Sequence, residues 1–281
     1  MSAVREAPFT LSLDGAELLG VGHWVEGSRR PVVIIVVGGP QYRVGSHRQF
    51  VLAARALAAR GYSVVRFDYR GMGDSGGASR DFEAVDADIA AIVRYVAQQA
   101  PEAHGHVLLG LCDAAAAVLM HEHGGEGARG LVLMNPWART PQLEAQARIR
   151  HYYGQRLLQP TFWGKVFRGE FQLFQSVRDA LSTWSRARDQ TGPRTDGGDF
   201  RERMLTGIER HRGRVLLLMS GNDLTAREFD AWSAASARWT RAIQGLAFER
   251  VDLPSADHTF SARADLDKSN AVIADWLDRL A

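Results

Sequence analysis

"HVLLGLCDAAAAVLM", residues His106 to Met120, joins an apolar run to an alanine-rich segment across one short junction, Leu111-Cys112-Asp113. The first half is apolar without alternation, as a strand buried on both faces of a parallel sheet must be. The second half is built from strong helix formers. Cys112 therefore falls where a strand turns into a helix, at the carboxyl end of the sheet, the edge at which open α/β sheets bind ligands. It is also the only cysteine in the chain. A thiol there meets the positive end of a helix dipole, which favours the thiolate, and a neighbouring imidazole would favour it further. A cysteine with no such neighbour is usually an inert buried filler, so the partners decide the reading.

Outward from that junction, short β-branched runs alternate with helical patterns, which predicts an α/β protein with a mainly parallel sheet. The spacing predicts a hairpin first, Phe9 to Leu13 and Leu18 to Trp24, turning at "DGAE". "PVVIIVV" (Pro31 to Val37) is a core strand, followed by a helix from about Arg48 to Arg60 that Gly61 ends. The strand Tyr62 to Asp68 runs into the glycine-rich loop "YRGMGDSGG". A helix over Asp81 to Ala100 puts Phe82, Val85, Ile89, Ile92, Val93 and Val96 on one face, leaving Asp86, Asp88 and Arg94 on a solvated one. After "HVLLGL" come the strands "GLVLMNP", Arg214 to Gly221 and Ala247 to Leu253, and a closing helix in "SNAVIADWLDRL". The alternation breaks between Trp137 and Arg212. Tyr152, Tyr153, Phe162, Trp163, Phe167, Phe171, Phe174 and Trp184 stand there among arginines, with Thr191 to Asp199 as the loosest part. The expected organisation is a core of 1–136 and 213–281 with an inserted helical cap, 137–212.

Composition narrows the function classes. A chain of 281 residues, 46% apolar and 23% charged, has length for one large core plus an insertion. With 34 basic against 32 acidic side chains and a formal charge of +2, no field of one sign points to nucleic acid. A lone cysteine makes no internal disulfide, "MSAVREAPFTLSLDG" lacks the layout of a signal peptide, and no apolar run is long enough to span a bilayer. The expectation is a cytoplasmic protein without a membrane span, its oligomeric state left open.

The partners of Cys112 stand in a telling order. Asp223 follows the strand "RVLLLMSG" in "SGND", and His258 follows the last strand in "SADHTF". Both fall on loops at the edge that carries Cys112. A histidine takes the proton of a nucleophile, and a carboxylate fixes its tautomer and stabilises the imidazolium. The chain order nucleophile, acid, histidine is that of the α/β-hydrolases. The competing readings are a surface histidine and a turn aspartate. Asp257 is the weaker candidate acid, because sequence neighbours on a turn seldom face each other.

These residues resemble the α/β-hydrolases over nearly the whole chain, with "GLCDA" in place of the G-x-S-x-G elbow. Cys112 replaces the serine and Ala114 the second glycine. "FDYRGMGDSGG" resembles the D-x-R-G-x-G-x-S loop of that superfamily, a structural element, so Ser75 is not a candidate nucleophile. Together, "VVGGPQYRVGSHRQF", "FDYRGMGDSGG" and "GLCDAAAA" resemble the exosortase A system-associated hydrolase 1 family. The resemblance implies an α/β-hydrolase fold, with a mostly parallel eight-stranded sheet, helices on both faces and an inserted helical cap. It also implies a Cys112–His258–Asp223 hydrolase linked to bacterial exopolysaccharide and exosortase systems.

Hydrolysis needs donors for the oxyanion. In this fold one is the backbone N–H after the nucleophile, here Asp113, and another comes from the loop after the third strand, Gly38 to Tyr42. Pro40 has no N–H, so Gln41 is the expected second donor, with Tyr42 next. Tyr42, Arg43, His47, Trp137, Phe162 and Trp163 are the expected substrate-binding residues, and Arg48 could join Arg43 and His47 at the mouth of the pocket. "VVGGPQYRVGSHR" has neither P-loop nor G-x-G-x-x-G spacing, which argues against a nucleotide. His121 and His123 make no tetrahedral set, so no metal and no cofactor is expected. The expected substrate is a small acyl ester or thioester, with a lactone also open. Acyl transfer to a saccharide or peptide by the same residues, and a non-catalytic binding role in polysaccharide export, are the alternatives.

Overall fold

In the computed structural model, residues 3–39, 41–121, 127–138 and 199–280 are described. β1 (Val4–Leu13) and β2 (Ala16–Val25) form the hairpin, β1 starting ahead of the expected Phe9 and ending at Leu13 as expected, β2 longer than expected at both ends. Asp14 and Gly15 both take left-handed backbone (φ 48° and 77°), as a two-residue turn matched to the strand twist requires. The remaining strands are β3 (Val32–Val36), β4 (Val64–Phe67), β5 (His106–Leu111), β6 (Gly130–Met134), β7 (Arg214–Ser220) and β8 (Ala247–Leu253). They lie in the order β1-β2-β4-β3-β5-β6-β7-β8. β2 pairs antiparallel with β1 and β4, and every later neighbour pairs in parallel.

The unbroken apolar run of β3 follows from burial on both faces. Val32, Ile34 and Val36 pack toward α2 (Asp86–Gln99) and α3 (Asp113–His121), through Ile89, Ile92 and Val118. Val33 and Ile35 pack toward α1 (Gln49–Ala59), through Phe50 and Leu57, and toward Ile273 and Trp276 of the closing helix. Each such side chain, wholly removed from water, contributes on the order of 1.5–3 kcal/mol.

Several expectations are corrected. The helix predicted over Asp81 to Ala100 is two pieces, a 3-10 turn at Phe82–Ala84 and then α2. Asp88 is not on a solvated face: it is fully buried, and its carboxylate accepts from the Arg70 backbone N–H (2.8 Å) and from the Arg70 guanidinium (3.0 Å). A helical wheel cannot anticipate a cation arriving from the glycine-rich loop to meet that face. Three further helices follow: α4 (Phe200–Arg210), and between β7 and β8, α5 (Leu224–Ala235) and α6 (Ala237–Gln244). The last helix, α7, spans Arg263–Asp278 and so begins well before the expected Ser269.

The chain divides into two units, one of Met1–Ala138 with Asp199–Ala281 and one of Arg139–Gly198. The second, with Phe162, Trp163 and the other aromatics of the expected cap, lies outside the described residues. The first resumes at Asp199, ahead of the expected residue 213, because α4 buries Met204, Leu205 and Ile208 in the core. Gly207 lets the α4 backbone close on α3: a Cβ there would lie 1.7 Å from the Leu119 carbonyl oxygen. Among the described residues no helix is long and apolar enough to cross a membrane.

Candidate active site

β5, β7 and β8 are parallel, so the loops that follow them emerge at one edge, and these loops carry Cys112, Asp223 and His258. Cys112 sits between β5 and α3 with left-handed backbone (φ 63°), an uncommon state for a residue with a Cβ and one that turns a strand sharply into a helix. Its N–H donates to the Met134 carbonyl (2.9 Å), and its carbonyl accepts from Trp137 N–H (3.0 Å) and Ala115 N–H (3.1 Å). The turn depends on two glycines. A Cβ on Gly110 would lie 2.6 Å from the Ala114 carbonyl, and a Cβ on Gly38 would lie 2.7 Å from Ala114 N and 3.0 Å from its methyl. Ala114 is therefore tolerated in the place of the elbow's second glycine because Gly38, opposite, has no side chain.

His258 Nδ1 donates to Asp223 Oδ2 at 2.7 Å, and its ring also hydrogen-bonds the Cys112 thiol. Both partners hold the imidazolium: Asp223 first and Cys112 second push the His258 pKa up to about 10, against the opposing effect of burial. Asp223 is buried and serves twice. Its Oδ1 accepts from Thr225 N–H (3.0 Å) and its Oδ2 from Ala226 N–H (3.2 Å), so it caps α5 while receiving the imidazole. The turn reading of "GND" and the acid reading describe the same side chain. Asp257 turns instead to its own loop, accepting from Thr259 N–H (3.2 Å) and Ser261 N–H (2.9 Å).

The loop after β3 lies against the start of α3. Pro40 is outside the described residues. Gly39 N–H donates to Asp113 Oδ2 (2.8 Å), while Gln41 Oε1 accepts from Ser46 N–H (3.3 Å). Thus the expected oxyanion loop is tied to the residue after Cys112 through that residue's side chain. Asp113 Oδ1 is buried without a hydrogen-bond partner, and burial raises the Asp113 pKa above the ordinary carboxylate value, the amides of Gly39, Ala114 and Asp113 opposing this.

The expected substrate contacts divide. Arg43 reaches inward: its guanidinium pairs with Asp68 and, at 2.7 Å, with Asp74, and it clamps the glycine-rich loop. Tyr42 is 43% exposed with the Arg43 guanidinium 5.9 Å from its ring centre. His47 Nε2 shares a hydrogen bond with Thr259 Oγ1 (3.2 Å), next to His258. His47 and Arg48 both hold left-handed backbone (φ 40° and 63°). Trp137 follows β6, half-buried against the core. Ser75 is buried and structural, donating to the Asp68 carbonyl (2.7 Å) and accepting from Leu19 N–H (2.8 Å). His121 pairs with Asp86 (2.6 Å), and His123 lies outside the described residues.

One residue that sequence reasoning passed over stands out. Asn135 is fully buried with φ 43°, and its Nδ2 donates to the His258 carbonyl (3.0 Å) and to Ser220 Oγ (2.9 Å). Its Oδ1 accepts from Ser220 N–H (2.8 Å). It ties the end of β6 to the loops that carry Asp223 and His258. The available signal was an asparagine ending an apolar strand in "LVLMNP", since asparagine is among the few residues that tolerate left-handed backbone.

The strand order, with its antiparallel start and the strand-to-helix turn at Cys112 after β5, agrees with the alpha/beta hydrolase family profile, which matches residues 33–269. The chain belongs to that family. Among solved structures, this hydrolase is similar to the esterase Pf2001 of Pyrococcus furiosus, with a TM-score of 0.64 at 17% identity over 99% of this chain and 93% of that one. It is also similar to Est1E of Butyrivibrio proteoclasticus, determined with ferulic acid bound (TM-score 0.62, 14% identity, 97% and 98% of the two chains). The dienelactone hydrolase of Anabaena variabilis is a third (TM-score 0.61, 12% identity, 98% of each). At these identities the likeness is one of fold. No curated protein matches the chain.

Proposed function

We propose that this hydrolase cleaves a small acyl ester or thioester, with lactones in reach of the same chemistry, through a covalent acyl-enzyme on Cys112. The observation that carries the reading is the hydrogen-bonded series Asp223–His258–Cys112 on a strained strand-to-helix turn. His258 takes the thiol proton, and Asp223 holds the resulting imidazolium. The thiolate attacks the carbonyl carbon, and the N–H groups of Asp113 and Gln41 receive the oxyanion. As the C–O or C–S bond breaks, His258 returns its proton to the leaving alcohol or thiol. A water molecule, deprotonated by His258, then attacks the thioester, releasing the acid and restoring the Cys112 thiol. Tyr42, His47 and Trp137 are the described side chains proposed to meet the acyl group. Arg43 is not retained in this role, because two carboxylates already satisfy it.

The motifs "VVGGPQYRVGSHRQF", "FDYRGMGDSGG" and "GLCDAAAA" support a place in bacterial exosortase and exopolysaccharide systems. A cytoplasmic enzyme acting on an acylated small molecule fits that reading. The test is turnover of short p-nitrophenyl esters and thioesters. Cys112→Ala is expected to abolish it with the fold intact by circular dichroism, and His258→Ala to slow both turnover and alkylation of Cys112. Undiminished hydrolysis by Cys112→Ala would remove the assignment.

A further inference from the structure

At the edge of the sheet opposite Cys112, the amino ends of β7 and β8 and the carboxyl ends of α4, α6 and α7 surround a cleft of about 910 Å³. That is the size of a small-molecule site, for which ~300–1,000 Å³ is usual. Arg129, Arg212, Arg214, Arg238, Arg241 and Arg279 line it, and Glu209 is the one acidic side chain among its described lining residues.

The charges are unequally met. Arg238 is held by Glu202 (2.6 Å) and Glu209 (2.7 Å), and Arg279 by Glu249 (2.6 Å). Among the described residues, no carboxylate lies within ion-pair distance of Arg129, Arg212, Arg214 or Arg241. Arg212 donates instead to the carbonyls of Glu209 and His211 (2.9 Å each), Arg214 to that of Arg279 (2.7 Å), and Arg129 to that of Leu280 (3.5 Å). These are the last turns of α4 and α7, where cations are favoured. Carbonyls fix a guanidinium in place without cancelling its charge, and each guanidinium has five N–H donors, most of which remain for another partner. Among the described residues, six arginines against Glu202, Glu209 and Glu249 are an excess of three positive charges around this cleft, whereas the whole chain carries a formal +2. Like charges crowded on the walls of a cleft repel one another, and an anion placed between them relieves that cost and collects a focused field.

The geometry points to a binding site for a small multivalent oxyanion, a molecule bearing two or more phosphate or carboxylate groups, at the sheet edge remote from Cys112. The planar fork of arginine fits both groups in bidentate fashion.

The test is isothermal titration of the full chain with sodium pyrophosphate and, separately, with citrate, at about 0.15 M ionic strength. At least one is expected to bind saturably at one site per chain, more weakly as salt rises. Heat with pyrophosphate alone assigns the site to phosphates, and with citrate alone to carboxylates. Arg241→Ala and Arg212→Ala are expected to weaken binding about tenfold each, a loss of about 1.4 kcal/mol apiece. Cys112→Ala is expected to bind as the wild type does. Both arginines are exposed, and the conservative Arg241→Gln and Arg212→Gln provide a second pair should an alanine variant melt early. Absence of saturable heat with either anion, binding that survives both arginine substitutions, or binding lost in Cys112→Ala would overturn the assignment.

Discussion

Asp113 contributes more to the candidate site than the backbone N–H next to Cys112. Its buried carboxyl holds Gly39 N–H at 2.8 Å, and its other oxygen lies against Gly38, where a Cβ would approach it to 2.0 Å. A carboxylate beside the oxyanion of the proposed mechanism would oppose it, and burial counters this by raising the Asp113 pKa. Asparagine keeps an acceptor for Gly39 N–H and removes the charge, whereas alanine removes both. On the proposed mechanism, Asp113→Asn is expected to retain kcat within about threefold, and Asp113→Ala to lose about a hundredfold, the size of effect seen when an oxyanion donor is misplaced. Steady-state kinetics on p-nitrophenyl acetate separate the two. The sequence placed Asp113 beside Cys112, but its side-chain role depends on Gly39, distant in the chain.

At the scale of elements, pattern was most informative where burial is complete. The continuous apolar runs became β3, β5, β6 and β7, and Gly61 ends α1 with φ 91°. Pattern failed where one element meets another. α2 presents Asp88 to Arg70, a buried pair that fastens the helix to the glycine-rich loop, with Asp14 as a second, exposed partner of the same guanidinium at 2.6 Å. Asp88→Ala leaves a buried guanidinium without its main counter-ion, a loss of about 3 kcal/mol. Urea denaturation should show the unfolding free energy falling by that amount, while Asp14→Asn, which removes the exposed partner's charge and still tolerates the left-handed turn, changes it by well under 1 kcal/mol. Equal effects would contradict this account. α4 was likewise assigned to the insertion, because aromatic and arginine content continues through it. Its true neighbour is set by Gly207, whose missing side chain admits Leu119.

The site itself belongs to the whole molecule, since Cys112, Asp223 and His258 meet only because β5, β7 and β8 are parallel and end at one edge. This makes the reactivity of Cys112 a property of the fold. With the His258 pKa pushed up to about 10 by Asp223 and Cys112, the imidazolium persists through neutral pH and is lost only as pH rises through that value. On the proposed mechanism that proton is returned to the leaving alcohol, so hydrolysis of a short alkyl ester should hold through neutral pH and fall only as pH rises through about 10. A fall that sets in near the ordinary imidazole value would show that Asp223 and Cys112 do not hold the imidazolium.

The sequence by itself determined the alternation of strands and helices, the position of Cys112 at a strand-to-helix turn, and the placement of Asp223 and His258 on loops that follow later strands. These follow from local periodicity and from the backbone demands of turns, which are written into neighbouring residues. Only the tertiary structure decided that Asp88 is buried, that Arg43 is spent on Asp68 and Asp74, that Asn135 joins the His258 loop to β7, and that α4 belongs to the hydrolase unit. Each depends on a charge, a hydrogen bond or a missing side chain brought from a distant part of the chain, and no local pattern encodes which partner will arrive.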